Sequence, residues 1–173
     1  TAPGERAGMP FAVVAHEAAH QWWGHLVRAG SGAGTGLLVE GMADYATLLL
    51  HDAEFGTEGR RRYAAYLERE YLERRDARDE RSVLDARDER AGDATVVQYK
   101  GAWVMWMLQQ QIGREPMLAG LRAFIARFEG SRDHAALQDL VETLRAYAGS
   151  PAEFEAFVDQ WFHRVVLPEF RVR

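Results

Sequence analysis

Apolar and polar positions along this chain follow a helical rather than a strand-like period almost throughout. Phe11, Val14, Ala15, Ala18, Trp22 and Leu26 recur at helical spacing behind Pro10, which suits a first turn, so the pattern predicts a helix from about Pro10 to Arg28. Gly30-Ser-Gly-Ala-Gly-Thr-Gly36 cannot hold a helix and reads as a simple connection or a flexible flap; its spacing is not that of a phosphate-binding loop. Leu37 to Phe55 is a strongly apolar second helix stopped by Gly56, and Thr57 to about Arg75 a third with a polar face. The hexapeptide Asp-Ala-Arg-Asp-Glu-Arg occurs twice, at 76–81 and 85–90, with charges in balance, as in a solvated helix or surface loop. Further helices are expected over Val97 to Ile112 with Gly113 as stop, Glu115 to Phe128, His134 to Tyr147 behind the cap candidate Asp133, and from Ser150-Pro151 to about His163. The fold class is therefore all-α, with helices packed around one core.

Composition narrows the picture. With 173 residues, 47% hydrophobic and 11% aromatic, the chain is expected to form a single domain over residues 1–173 with a substantial core. A net charge of −5 and the lack of an uncompensated Lys/Arg run remove nucleic acid as a partner. Having no cysteine, the chain offers a transition metal only imidazole and carboxylate. No window approaches the ~20 consecutive apolar residues of a membrane span, and Thr1-Ala-Pro-Gly4 has neither a charged leader nor a signal core. A soluble segment without membrane contact of its own is expected, cut from a longer protein because the chain lacks an initiator Met and meets its densest motif within twenty residues.

That motif is His16-Glu17-Ala18-Ala19-His20. On a helix, imidazoles at i and i+4 stack on one face about 6 Å apart and can share a cation. Glu17 stands about 100° around the helix from His16, where its carboxylate reaches a metal-bound water without becoming a ligand. Zinc with three protein ligands keeps a fourth position for water, whose pKa falls toward ~7. The third ligand offered is Glu40, which opens Glu40-Gly-Met-Ala-Asp44 after the glycine-rich turn that lets two helices fold back on each other. Asp44, one turn beyond, either accepts the second ring proton of a ligating histidine or is a surface cap or salt bridge. Trp103, Met105, Trp106 and Met107 share one helix and read as core, with a substrate pocket as the alternative.

His16-Glu-Ala-Ala-His-Gln-Trp-Trp-Gly-His25, followed by Leu37-Leu-Val-Glu-Gly-Met-Ala-Asp-Tyr45, resembles the gluzincin metallopeptidases of the M1 aminopeptidase family. The likeness continues through Gln98-Tyr-Lys-Gly-Ala-Trp-Val-Met-Trp-Met-Leu108 and Leu121-Arg-Ala-Phe-Ile-Ala-Arg-Phe128, in order. The resemblance implies a thermolysin-like helical catalytic domain, zinc on His16, His20 and Glu40, Glu17 as base, and a peptide or protein substrate.

Three departures qualify it. Nineteen residues separate His20 from Glu40 where the family's usual spacing is eighteen, which looks most like M1-like domains fused to bacterial transporter permeases and hints at a membrane-bound parent. The family's transition-state tyrosine stands two places before the lysine of Tyr-x-Lys-Gly; here Gln98 takes that place and Tyr99 adjoins Lys100. Tyr99 is the candidate oxyanion donor against ordinary packing, with Gln98 a weaker one and His25 or His163 the remaining recruits. The Gly-x-Met-Glu-Asn segment that holds a substrate's amino terminus in these enzymes is absent from these residues, so exopeptidase specificity is not inherited. The leading function is zinc-dependent peptide hydrolysis. The alternatives are a degenerate peptidase domain that binds zinc and peptide or a partner without cleavage, and a plain helical module whose histidines only pack.

Overall fold

A computed structural model describes residues 3–87 and 89–167. Among these residues the regular structure is helical, and the only β-type pairings are single bridges, Trp23 with Val27 and Ala29 with Ala135. The all-α expectation holds.

Helix α1, Pro3–Ala19, begins before Pro10 and ends well short of Arg28. The expected stripe is also out of register. Ala12, Ala15, Ala19, Trp23 and Val27 are buried, whereas Val14, Trp22 and Leu26 face solvent, because doublets such as Trp22-Trp23 and Leu26-Val27 fit either face and the small alanines allow close packing. Past Ala19 the chain tightens into turns in which the main-chain N–H and the ring Nδ1–H of His25 both donate to the His20 carbonyl, at 3.2 and 2.7 Å. The glycine-rich run is a pinned connection rather than a flap. Gly30 N–H donates to Ala135 O at 2.9 Å and Gly34 N–H to Ala86 O at 2.6 Å.

A π-turn, Leu37–Gly41, leads into α2, Met42–Arg74. Continuous helical hydrogen bonding would separate Asp44 from Tyr63 by about 28 Å along the axis. The Tyr63 hydroxyl instead donates to Asp44 at 2.7 Å, so α2 folds back on itself. The fold-back occurs at Gly56, at φ 64° and ψ −168°, a conformation that only glycine adopts readily. The expected pair of helices with Gly56 between them is thus present as two arms, residues 42–55 and 57–74.

Short helix α3, Asp93–Thr95, runs through a second π-turn, Val96–Lys100, into α4, Gly101–Ile112, which Gly113 ends as expected at φ 95°. Helix α5 spans Arg114–Phe128, α6 Leu137–Arg145 and α7 Pro151–Trp161. Helix α6 starts later than expected because Ala135 pairs with Ala29, and Asp139 rather than Asp133 closes its start by accepting from Ala136 N–H at 2.9 Å. Helix α4 is central, touching α2, α5 and α7, while α1 packs on α2 and α5 on α6. Met105 is buried, and Trp103, Trp106 and Met107 pack against the core. The Trp103 indole N–H donates to Ala64 O at 3.2 Å, so this group belongs to the core.

The loop carrying the two hexapeptides is less exposed than its charge suggests. The Glu80 side chain is 1% exposed and accepts hydrogen bonds from Lys100 Nζ at 2.7 Å, Tyr71 Oη at 2.6 Å and Arg75 Nε at 2.8 Å. Three donors, two of them cations, make such a burial tolerable. They tie the loop to the second π-turn.

Candidate metal centre

His16 lies in the last turn of α1 and His20 just past its end. Their ring centroids are 4.8 Å apart, with planes at 88°. Both Nδ1 atoms are committed, His16 Nδ1–H donating to Asp44 Oδ1 at 2.7 Å and His20 Nδ1–H to the Trp23 carbonyl at 3.0 Å. These bonds select the tautomer whose Nε2 carries a lone pair. The two Nε2 atoms then face each other at 3.2 Å. Glu40, carried on the first π-turn, brings Oε2 to 3.3 Å from His16 Nε2 and Oε1 to 3.8 Å from His20 Nε2. One donor atom from each of the three lies within 4.8 Å of the others.

Three electron-pair donors crowded together repel unless positive charge lies among them. Without a metal, a proton meets that need: hydrogen bonds to Asp44 and Glu40 outweigh burial and push the His16 imidazole up to about 10, and His16 in turn lowers the Glu40 carboxyl. Two imidazoles and one carboxylate form a donor set that suits Zn²⁺. The Glu40 side chain is 40% exposed, against 14% and 17% for the two histidines, so the centre is open on the Glu40 side, where a fourth group can enter.

Asp44 is buried, and Oδ1 accepts from both His16 and Tyr63; its Oδ2 has no hydrogen-bond partner among the described residues. Of the readings left open for Asp44, the contact with a histidine is the one found. Glu17 is exposed on α1 beside His16. Tyr99, on the second π-turn, is 9% exposed and turns its ring against Tyr66, centroids 6.5 Å apart at 85°. Burial raises its phenol, Arg74 lowers it, and the Glu70 and Asp44 carboxylates raise it. His163 lines a separate cavity of about 490 Å³ with Arg81, Ser82, Asp85 and Arg87. Tyr63 was missed from sequence. Its contact with Asp44 arises only from the fold-back at Gly56, and no local pattern announces it.

The two π-turns carry Glu40 and Tyr99 and pack on each other, an arrangement often met at functional sites. Their approach is so close that a Cβ on Gly41 would lie 2.5 Å from the Val97 carbonyl oxygen.

A family model described as the peptidase family M1 domain matches residues 5–161. No curated protein matches the chain significantly. Among solved structures, a variant of an M1 zinc metallopeptidase from Deinococcus radiodurans bound to a Tyr-Ser-Ala substrate is 25% identical, with TM-score 0.70, over 91% of this chain and 34% of that one. The M1 zinc metallopeptidase from the same organism gives 24%, 0.70, 91% and 34%. A two-domain M1 zinc metallopeptidase variant bound to L-arginine gives 25%, 0.70, 91% and 34%. The chain thus spans about a third of the length of these enzymes.

Proposed function

The chain belongs to peptidase family M1, and from that premise we propose that it is the metal-bearing part of a zinc metallopeptidase, with His16, His20 and Glu40 as ligands and Glu17 as general base. The observation that carries this reading is the convergence of two Nε2 atoms and one carboxylate oxygen within 4.8 Å. When bound, zinc supplies a Lewis acid that acidifies water and polarises the scissile carbonyl. The protein's own groups do the rest. Glu17 accepts a proton as the water oxygen adds to the carbonyl carbon, and returns it to the amine nitrogen as the C–N bond breaks. Asp44 and the Trp23 carbonyl hold the two imidazoles in the ligating tautomer. Tyr99 is the proposed oxyanion donor, carried on the π-turn that packs against the one bearing Glu40. A peptide substrate agrees with the Tyr-Ser-Ala bound to the similar enzyme. The nineteen-residue interval between His20 and Glu40 supports kinship with permease-fused M1-like domains; no helix among the described residues is long and apolar enough to cross a membrane.

A second reading, zinc and peptide binding without cleavage, is favoured by the burial of Tyr99 against Tyr66. One variant and one screen separate the two. Glu17→Gln should keep stoichiometric zinc and lose roughly 10²–10⁴-fold in hydrolysis, the usual share of a general base. Unchanged peptidase activity in that variant excludes Glu17 as the base. A reproducible, chelator-sensitive cleavage product from a peptide library eliminates the second reading, and zinc-loaded protein with no turnover establishes it.

A further inference from the structure

Resting on the zinc reading above, we infer that Tyr63 is a positioning residue for the metal centre, holding the Asp44 carboxylate against His16 through a hydrogen bond that reaches across the two arms of α2. Asp44 Oδ1 receives two donors, His16 Nδ1–H and Tyr63 Oη–H, both at 2.7 Å. Its other oxygen has no hydrogen-bond partner among the described residues, so these two bonds are what fix the carboxylate's orientation there. A desolvated carboxylate with a single donor can swing about its χ2 axis, whereas a second donor on the same oxygen pins that oxygen in place. With Oδ1 fixed, the His16 ring is fixed too, and its Nε2 lone pair is aimed at the point shared with His20 and Glu40.

Tyr63 is itself held rigidly. It is buried, stacks on His51 with centroids 4.7 Å apart at 3°, and stacks against Tyr66 at 5.7 Å and 22°. His51 in turn meets Phe11 of α1 edge-on at 5.1 Å. The rings therefore link the helix that carries both the motif and Glu17 to the far arm of α2, with the hydroxyl of Tyr63 as the polar contact that reaches the centre.

The test compares Tyr63→Phe, which keeps the ring and its stacking, with Tyr66→Phe, the same change on the neighbouring ring, whose hydroxyl is not among the hydrogen-bond donors to Asp44. Zinc affinity is measured by competition with a chromophoric chelator, and the zinc-free forms are melted in parallel. Tyr63→Phe should weaken zinc about 10-fold, the low end of what groups supporting a metal ligand contribute. Tyr66→Phe should leave zinc affinity at the wild-type value. Equal zinc affinity in Tyr63→Phe and wild type overturns the inference and leaves the metal centre standing. Equal weakening in both variants also overturns it, because it reports only the ring stack. If the wild-type chain takes up no zinc, or takes it up undiminished in His16→Ala, the zinc reading itself falls. Should Tyr63→Phe not fold, the unsubstituted chain still decides. The Tyr63 Cζ carbon shift, which reports the phenol's hydrogen bond, should move when zinc is added, and a shift unmoved while the His16 signals change overturns the inference.

Discussion

Replacing Gly41 with alanine would test whether the metal centre depends on the close approach of the two π-turns. Gly→Ala inside a helical segment ordinarily gains about 1 kcal/mol through backbone entropy and propensity. Here the added Cβ would stand 2.5 Å from the Val97 carbonyl oxygen and 3.1 Å from Leu37 Cγ, where ordinary contact begins at 3.4 Å. The obstacle is backbone and cannot rotate aside, so the turns must part by about 0.9 Å, the difference between 3.4 and 2.5 Å. Overpacking of this kind costs typically about 1–3 kcal/mol, enough to reverse the gain. The displacement falls on the residue beside Glu40 and exceeds the ~0.2 Å tolerance of a zinc–ligand distance. Gly41→Ala should therefore melt lower than wild type and bind zinc more weakly, as read by thermal unfolding with and without chelator. Gly149→Ala, where the new methyl meets nothing within 4 Å, serves as the matched control and should be close to neutral. Equal or greater stability of Gly41→Ala, with unchanged zinc affinity, would refute the account.

Glu80→Gln should cost about 3 kcal/mol at neutral pH because Lys100 loses its buried counter-charge, lowering the melting temperature by roughly 6–12 °C in a chain of this size. Burial raises the Glu80 carboxyl, but hydrogen bonds from Lys100 and Tyr71, with Arg75 adding to them, bring it below the ordinary 4.5. Its contribution is therefore complete above that pH and disappears as pH falls through the lower folded value. The gap between variant and wild type should narrow on acidification, and a gap that widens would contradict this sign. Gly56→Ala has open space around its new methyl, so any loss reports the backbone conformation alone, about 1–3 kcal/mol by denaturant titration. Asp44→Asn should weaken zinc roughly 10–100-fold by chelator competition, and an unchanged affinity would show that His16 needs no carboxylate behind it.

Spacing makes the histidine pair of the candidate metal centre legible, and the resemblance to a family adds Glu40. His16 and His20 share a face because a helix brings i and i+4 together, and Glu40 opens the apolar segment after the turn. Helical periods and glycine stops likewise announce an all-α chain broken at Gly56 and Gly113. Tertiary contact settled what local pattern could not. The two copies of Asp-Ala-Arg-Asp-Glu-Arg are identical, yet the Glu80 side chain is buried under three donors while Glu89 faces solvent. The stripe on α1 is displaced by one position because adjacent apolar residues satisfy either face until a partner surface selects one. Asp44 meets Tyr63 only because α2 doubles back, a long-range event that neither side chain encodes in its own neighbourhood. Periodicity and the i, i+4 spacing of His16 and His20 are short-range properties, fixed by backbone geometry within a turn or two; burial, hydrogen-bond partners and the approach of Glu40 to the histidines depend on which surfaces the folded chain brings together.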